Sequence, residues 1–463
     1  MKIRTNTYSL GATMEMAKRG MNLARLRMSV TGNNVNNVNT EGYSRQDVVT
    51  DASTVFQDSN SSYEMGLIEG TIRRVRDSFH YQQLVQENPS LGRWEEESHQ
   101  LELIERILNE PNENSISHTM DNFFNSWETL SQDLENQASR TIVRDSGNIL
   151  AKMFNTTAIK IEEQRLSLNK QIHDDVTKVN LLLEEISGLN KQILKQNSNS
   201  SEFSTLLDRR DKAVNDLSKY MDIKVTEKDN GAILIHSSGI VIANERSKNR
   251  LNEIEDSNGN IQLSWESESN KLDIKNGKLF GLLNTRDNTI PEVVNNLNSL
   301  VKSIVENVNR IHSESYNLEG NSGYNFFSSD GTTIDTIALD ENVAQSTEFI
   351  SVSRNQGSHG NGDGALLISA LANEKHMGNR TQSFKEFYLE SIVSLSNRVQ
   401  EAERMKDVEK DFVTFLENKT NEVSQVDLDE ELSNMIKYQQ AYGAATKVLS
   451  KTDEMMVSLL SIV

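Results

Sequence analysis

Residues 428–463 read LDEELSNMIKYQQAYGAATKVLSKTDEMMVSLLSIV, and the spacing in this stretch decides the fold. Leu428, Leu432, Met435, Gln439, Tyr442, Thr446, Leu449, Asp453, Met456, Leu460 and Val463 recur every four and three residues in turn. That is the seam of a helix laid along a partner helix. Ile436, Ala445, Val448 and Leu459 make a second apolar line beside it, so the helix wants more than one neighbour. Asp427, with Glu430 three residues on, has the pattern of a capping box. The other end of the chain carries a counterpart. Met14, Ala17, Met21, Ala24, Met28, Thr31, Val35 and Val38 keep the same alternation of three and four, with small or flexible knobs. An Asn-rich run up to Gly42 predicts that this helix stops at Asn33-Asn34 in an irregular turn, because Asn and Gly tolerate left-handed backbone. Matched seams at both ends predict a terminal coiled coil, within one subunit or between subunits, with the middle of the chain inserted into it.

Working inward, prolines are almost absent (Pro89, Pro111 and Pro291), so long helices are permitted nearly everywhere. A helical block is expected from about Leu91 to Tyr220. Leu91, Trp94, Ser98, Leu101 and Leu108 share one face, and Phe123, Trp127, Leu130 and Leu134 another. Ile172, Val176, Val179, Leu183, Ile186 and Ile193 end the longest helix. After a polar turn at Ser198–Ser201, Leu206, Leu207, Ala213, Val214 and Leu217 fold back against it. From Asp222 the period changes to two, with turns at Gly239 and Asn258-Gly259, which predicts a small antiparallel β unit over 222–275. Helical spacing returns from Val293 to Ile311 and from Ala365 to about Asn421. The fold class is mainly α with a small β part: a terminal coiled coil, a long-helix bundle and a β unit in an elongated, multi-domain chain. The expected division is 1–45 with 426–463, 46–221 with 276–425, and 222–275.

Composition narrows the chemistry. The 463 residues carry 48 Lys+Arg against 68 Asp+Glu, a formal charge of −20. Such a surface repels phosphate backbones and anionic lipid, so no nucleic-acid partner is expected. There are no cysteines, which removes disulfides and thiolate chemistry together. No apolar run approaches a membrane span, and the basic residues Lys2 and Arg4 are followed by further charges rather than a signal-peptide core. The histidines are scattered, with no His-Glu-x-x-His. Gly360, Gly362 and Gly364 lack the Gly-Lys-Ser/Thr of a phosphate loop, and Asp256-Ser257-Asn258-Gly259 has Ser267 where a calcium loop needs Glu. No catalytic, cofactor or metal set can be assembled, so an enzyme is not expected.

The run Asn33-Asn34-Val35-Asn36-Asn37-Val38-Asn39-Thr40-Glu41-Gly42-Tyr43-Ser44-Arg45 resembles the N-terminal signature of the bacterial flagellar axial proteins, the rod, hook and junction family. Further blocks resemble its hook-associated junction members in order: Leu206 to Asp211, Asn309-Arg310-Ile311-His312, Phe326-Phe327, Gly362 to Leu366, and Leu428 to Leu432 with Tyr438 to Tyr442. Many members carry an outer β domain after the Phe-Phe pair. Here only the short stretch 328–361 stands in its place.

The resemblance implies a structural subunit at the hook–filament junction, needed for filament assembly and motility. It implies self-association into a ring, contacts with hook protein and a second junction protein, and a cytoplasmic export chaperone on the C-terminal helix. It also implies export through the flagellar type III channel, which suits a chain with no cysteine and few prolines, to an external or periplasmic flagellum. Asn33, Asn34, Asn36, Asn37, Thr40, Gly42, Tyr43, Ser44 and Arg45 would form the axial assembly motif. Met14, Ala17, Met21, Ala24, Met28, Leu428, Leu432, Met435, Tyr442, Leu449, Met456 and Leu460 would form the seams. Tyr43 and Arg45 are expected to serve assembly, with little part in the stability of the monomer. Another axial protein (hook or distal rod) and an exported peptidoglycan hydrolase with axial ends are the alternatives.

Overall fold

The computed structural model describes residues 7–50, 55–58, 61–64, 70–108, 110, 112, 115–197, 200–228, 230–268, 271–357 and 360–461. Pro111, Ser198 and Val463 lie outside the described residues. The terminal helices α1 (Thr7–Asn36) and α11 (Leu428–Leu460) pack along each other. Between them the chain forms an arm of strands β1 (Gln46–Thr50), β2 (Val55–Asp58), β3 (Ser61–Glu64) and β4 (Gly70–Arg74), with β1 paired to β4 and β2 to β3 in antiparallel fashion. The helical body follows: α2 (Ser78–Leu108), α3 (Ile116–Gln132), α4 (Gln137–Ile193) and α5 (Ser201–Tyr220). Strands β5 (Lys224–Glu227), β6 (Ile233–Ser237) and β7 (Ile240–Ala243) form one antiparallel sheet. Strands β8 (Leu251–Glu255) and β9 (Ile261–Trp265) form a hairpin. Then come α6 (Lys278–Asn284), a π-helical turn at Thr285–Thr289, α7 (Ile290–Ser313), the short α8 (Glu341–Gln345), α9 (Asp363–Ala370) and α10 (Phe384–Ser424).

Polar caps place the long helices. Ser115, Asn136 and Ser200 accept backbone N–H groups at the starts of α3, α4 and α5, and Ser383 with Glu386 closes a capping box on α10. The 57 residues of α4 bury Val143, Leu150, Phe154, Ile161, Leu168, Ile172, Val176, Val179, Leu183 and Ile186 in the main core. The periodic seam read from the sequence is therefore the core face. Pro291 has no N–H to complete a regular turn, and the helix relaxes into π geometry just before it.

Within the main core an aromatic cluster closes around two blocks from the sequence. Phe326 meets Trp127 at 5.2 Å and Phe123 at 5.6 Å between ring centroids. Asn309 holds the Phe-Phe pair by its backbone: its Oδ1 accepts from the N–H of Phe326 and Phe327, and its Nδ2 donates to the Phe327 carbonyl. His312 is fully buried, with Nδ1 2.7 Å from the Tyr324 carbonyl and Nε2 accepting from the Ser351 N–H at 2.9 Å. The second contact requires a neutral ring, and burial lowers the His312 pKa to about 4. Ile334, Ile337, Val343 and Ile350 sink into this same core, so the stretch after the Phe-Phe pair is strapped onto the body.

Four expectations need correction. Helix α1 runs to Asn36, past Asn33-Asn34, because both Asn side chains find partners without ending it. Helix α2 starts at Ser78 and passes through Pro89, whose carbonyl accepts from the Gly277 N–H. Gly277 has φ +94, and a Cβ there would lie 2.4 Å from the Tyr220 carbonyl, so the crossing needs glycine. Residues 46–74, which show no clear alternation in sequence, form strands β1 to β4. On α11, Asp427 caps the helix, but Glu430 reaches for Arg45 and does not close a box.

Candidate assembly joint

The α1–α11 seam is thin. On α1, Ala17, Ala24 and Thr31 are buried, and Met14, Met21 and Met28 half-buried. On α11 the face turned inward is Glu431, Met435, Tyr438, Tyr442, Ala445, Leu449, Thr452 and Met456, again at heptad spacing. Met435, Tyr442, Leu449 and Met456 match the sequence reading. Leu428, Leu432 and Leu460 do not: they are exposed, along with Ile436, Val448 and Leu459. The inward line is displaced by about one residue from the one read, and it leaves an apolar flank uncovered on either side of α11.

The Asn-rich turn is a hub rather than a loose loop. Buried Asn34 pairs with the backbone of Gln46 like a strand neighbour, donating from Nδ2 to its carbonyl and accepting its N–H at Oδ1, both at 2.9 Å. Oδ1 also accepts from the Tyr43 hydroxyl at 2.8 Å. Asn33 donates to Ser201 Oγ at the start of α5, and Ser201 in turn donates to Gln46 Oε1. Asn37 donates back to the Asn33 carbonyl, and Thr40 to Asn37. Gly42 takes φ +79 against the Lys212 side chain, and Asn36 is exposed. Burial, with Asp208 and Glu431 nearby, raises the Tyr43 pKa, so its hydroxyl stays protonated.

Ion pairs then tie three remote segments together. The Ser44 N–H donates to Asp208 at 3.1 Å. Arg45 donates from Nε to Glu431, whose side chain is 2% exposed, and from Nη2 to Glu430. Burial opposes the Arg45 charge, yet the two carboxylates outweigh it and raise its pKa. Arg74, at the end of β4, donates to Asp208 at 2.9 Å and Asp211 at 2.7 Å, and Arg76 joins it on Asp211. The Tyr81 hydroxyl donates to the Asp211 carbonyl, and the Arg76 guanidinium lies 3.8 Å from the centre of the Tyr81 ring. So the block Leu206 to Asp211 works as the socket for the terminal unit. The apolar cluster of the terminal unit (Val30, Val48 and Ile72, with Leu23 and Leu26) is separate from the main core. What joins the two is charge and hydrogen bonding.

Tyr43 and Arg45 thus have partners inside the chain, in Asn34 and in Glu430 and Glu431. Ser201, Gln46, Arg74, Arg76, Asp208 and Asp211 were not singled out as site residues from the sequence. Among the described residues no group of His, Asp and Glu could hold a metal ion, and no helix is long and apolar enough to cross a membrane.

Three family models match along the chain. Residues 101–327 match the flagellar hook-associated protein FlgK helical domain, between a flagella basal body rod protein model at 14–43 and a flagellar basal body rod FlgEFG protein C-terminal model at 417–462. The flagellar hook-associated protein 1 of Bacillus subtilis is 25% identical, with 97% of each chain covered. The chain belongs to the flagellar hook-associated protein family. The protein of that name from Salmonella typhimurium is 26% identical over 73% of this chain and 65% of its own, and that of Escherichia coli 22% over 98% and 100%. The structure of the flagellar hook junction protein FlgK from Burkholderia pseudomallei shares the fold, with a TM-score of 0.67 at 14% identity, covering 74% of this chain and all of that one. The family is one of structural flagellar proteins, and the mainly helical architecture with small antiparallel sheets fits it.

Proposed function

We infer that the chain is a structural subunit of the bacterial flagellum at the junction between hook and filament, needed for filament assembly and motility. The observation that carries this is a hook-associated helical domain held between rod-type ends, in a chain that matches the Bacillus subtilis relative over 97% of both lengths. Hook and distal-rod readings are disfavoured by the same central match. A strain lacking the chain should build hooks but hold no filaments, and normal filaments there would overturn the reading.

Copies of the chain form a ring that contacts hook protein on one side and a second junction protein on the other. The turn from Asn33 to Arg45 sets the terminal unit on the body. The unit 1–45 with 426–463 lies innermost, 46–221 with 276–425 forms the helical layer, and 222–275 decorates it. The residues 328–361 replace an outer domain. The exposed flanks of α11, through Leu432 and Ile436 on one side and Val448 and Leu459 on the other, support contacts with neighbouring copies in the organelle. Before export the same flanks suit a cytoplasmic chaperone, and chaperone binding that survives deletion of 428–463 would exclude that site. Passage is through the flagellar type III channel, and the chain performs no catalysis.

A further inference from the structure

We propose that the cleft between α2, α5 and the β5–β6 edge receives an acidic side chain from a second copy of the chain, an inference that rests on the junction reading above. The cleft encloses about 260 Å³. Its floor is apolar, with buried Val85, Val214 and Ile233 beside buried Arg210, and Arg76 and Lys224 stand further out.

Arg210 is the reason to expect a ligand there. Its side chain is 1% exposed, yet Nη2 stands 3.8 Å from both Asp211 and Glu227, beyond hydrogen-bond range. Nη1 donates to the Gly231 carbonyl, while Nε finds no partner among the described residues. Burying a cation without a closely held anion is costly. The nearby acids do not fill the role: Asp211 is taken by Arg74 and Arg76, and the Glu227 side chain is 63% exposed. Three cations against two carboxylates leave a positive excess in a chain of net charge −20. In a ring, the nearest supply of anions is the acidic surface of the adjacent copy. The apolar floor suits the methylene stem of a glutamate, whose carboxylate would replace Glu227 opposite Arg210. Because Asp211 also holds Arg74 and Arg76, the incoming group would stiffen the joint as the ring closes.

The test uses the full chain in cells lacking their own copy. Lys224 is exposed on the rim, so Lys224→Glu should leave thermal unfolding of the purified chain unchanged. It should reduce the amount of chain retained on isolated hooks at least threefold, while Lys224→Arg is retained normally. A photo-crosslinking residue at exposed Gln82, which also lines the cleft, should capture a second copy of the chain in assembled flagella. Normal retention of Lys224→Glu overturns the proposal and leaves the junction reading standing. So does capture of a different protein, or of none, by a chain that assembles normally. A chain absent from isolated flagella overturns the junction reading and this proposal with it.

Discussion

Arg74→Ala removes the cation that Asp208 and Asp211 share, with side chains only 6% and 14% exposed. Breaking a buried pair from one side costs about 3–5 kcal/mol, because a charge stays buried without its partner. Here Arg76 remains on Asp211 and the Ser44 N–H on Asp208, which places the loss near the lower end, about 3 kcal/mol. Asp208 then carries most of the penalty. Neutralising it with Asp208→Asn should restore about 1–2 kcal/mol in the Arg74→Ala background, although the same change is destabilising in the intact chain. Amide exchange resolves this locally, read at 44–50, 70–76 and 201–212, since the joint lies apart from the main core. The expected pattern is faster exchange in those segments for Arg74→Ala, partial recovery in the double variant, and little change across α3 and α4. Additive losses from the two changes would refute the socket. So would exchange that accelerates equally through the main core.

The remaining expectations concern the core and the chain ends. His312 is neutral in the fold, with its pKa lowered by burial from 6.5 to about 4, so its contribution is complete above pH 6.5 and is lost as pH falls towards 4. That component amounts to about 3 kcal/mol, and subtracting the stability–pH curve of His312→Gln should isolate it; identical curves would exclude it. Gly147→Ala would place a Cβ 2.6 Å from the Phe326 ring, so it should cost about 1–3 kcal/mol despite better helix propensity, as denaturant unfolding would show. In the free monomer, exchange should be fast before about residue 40 and after about 427, because α11 buries only Glu431 and Thr452. Strong protection of both ends at micromolar concentration, with no oligomer present, would contradict that.

What could be read from the chain followed physical range. The α4 seam and the strands of 222–275 were legible because local periodicity reports a buried face directly. The α11 seam was only half legible. Two heptad lines, one through Leu428 and Leu432 and one through Glu431 and Tyr438, share Met435, Tyr442, Leu449 and Met456, and only packing on α1 chooses between them. The β1–β4 arm was hidden because Ser, Thr and Asp break its alternation, with Val48 and Ile72 its described buried apolar residues. Pro89 masked the first turns of α2, since a proline is more often a start than an interior residue. The joint was least legible. Arg74 and Asp208 lie far apart in sequence, and such a pair leaves no periodic trace. The Leu206 to Asp211 block was visible only as a resemblance, without its partners.

The position of the chain in the intact organelle decides whether it is a junction subunit. An electron-dense tag fused at the exposed Asn258-Gly259 turn can be located by cryo-electron tomography of whole flagella. One band of density is expected at the distal end of the hook, directly below the filament. Density spread along the filament, density in the rod, or none on the flagellum would contradict it.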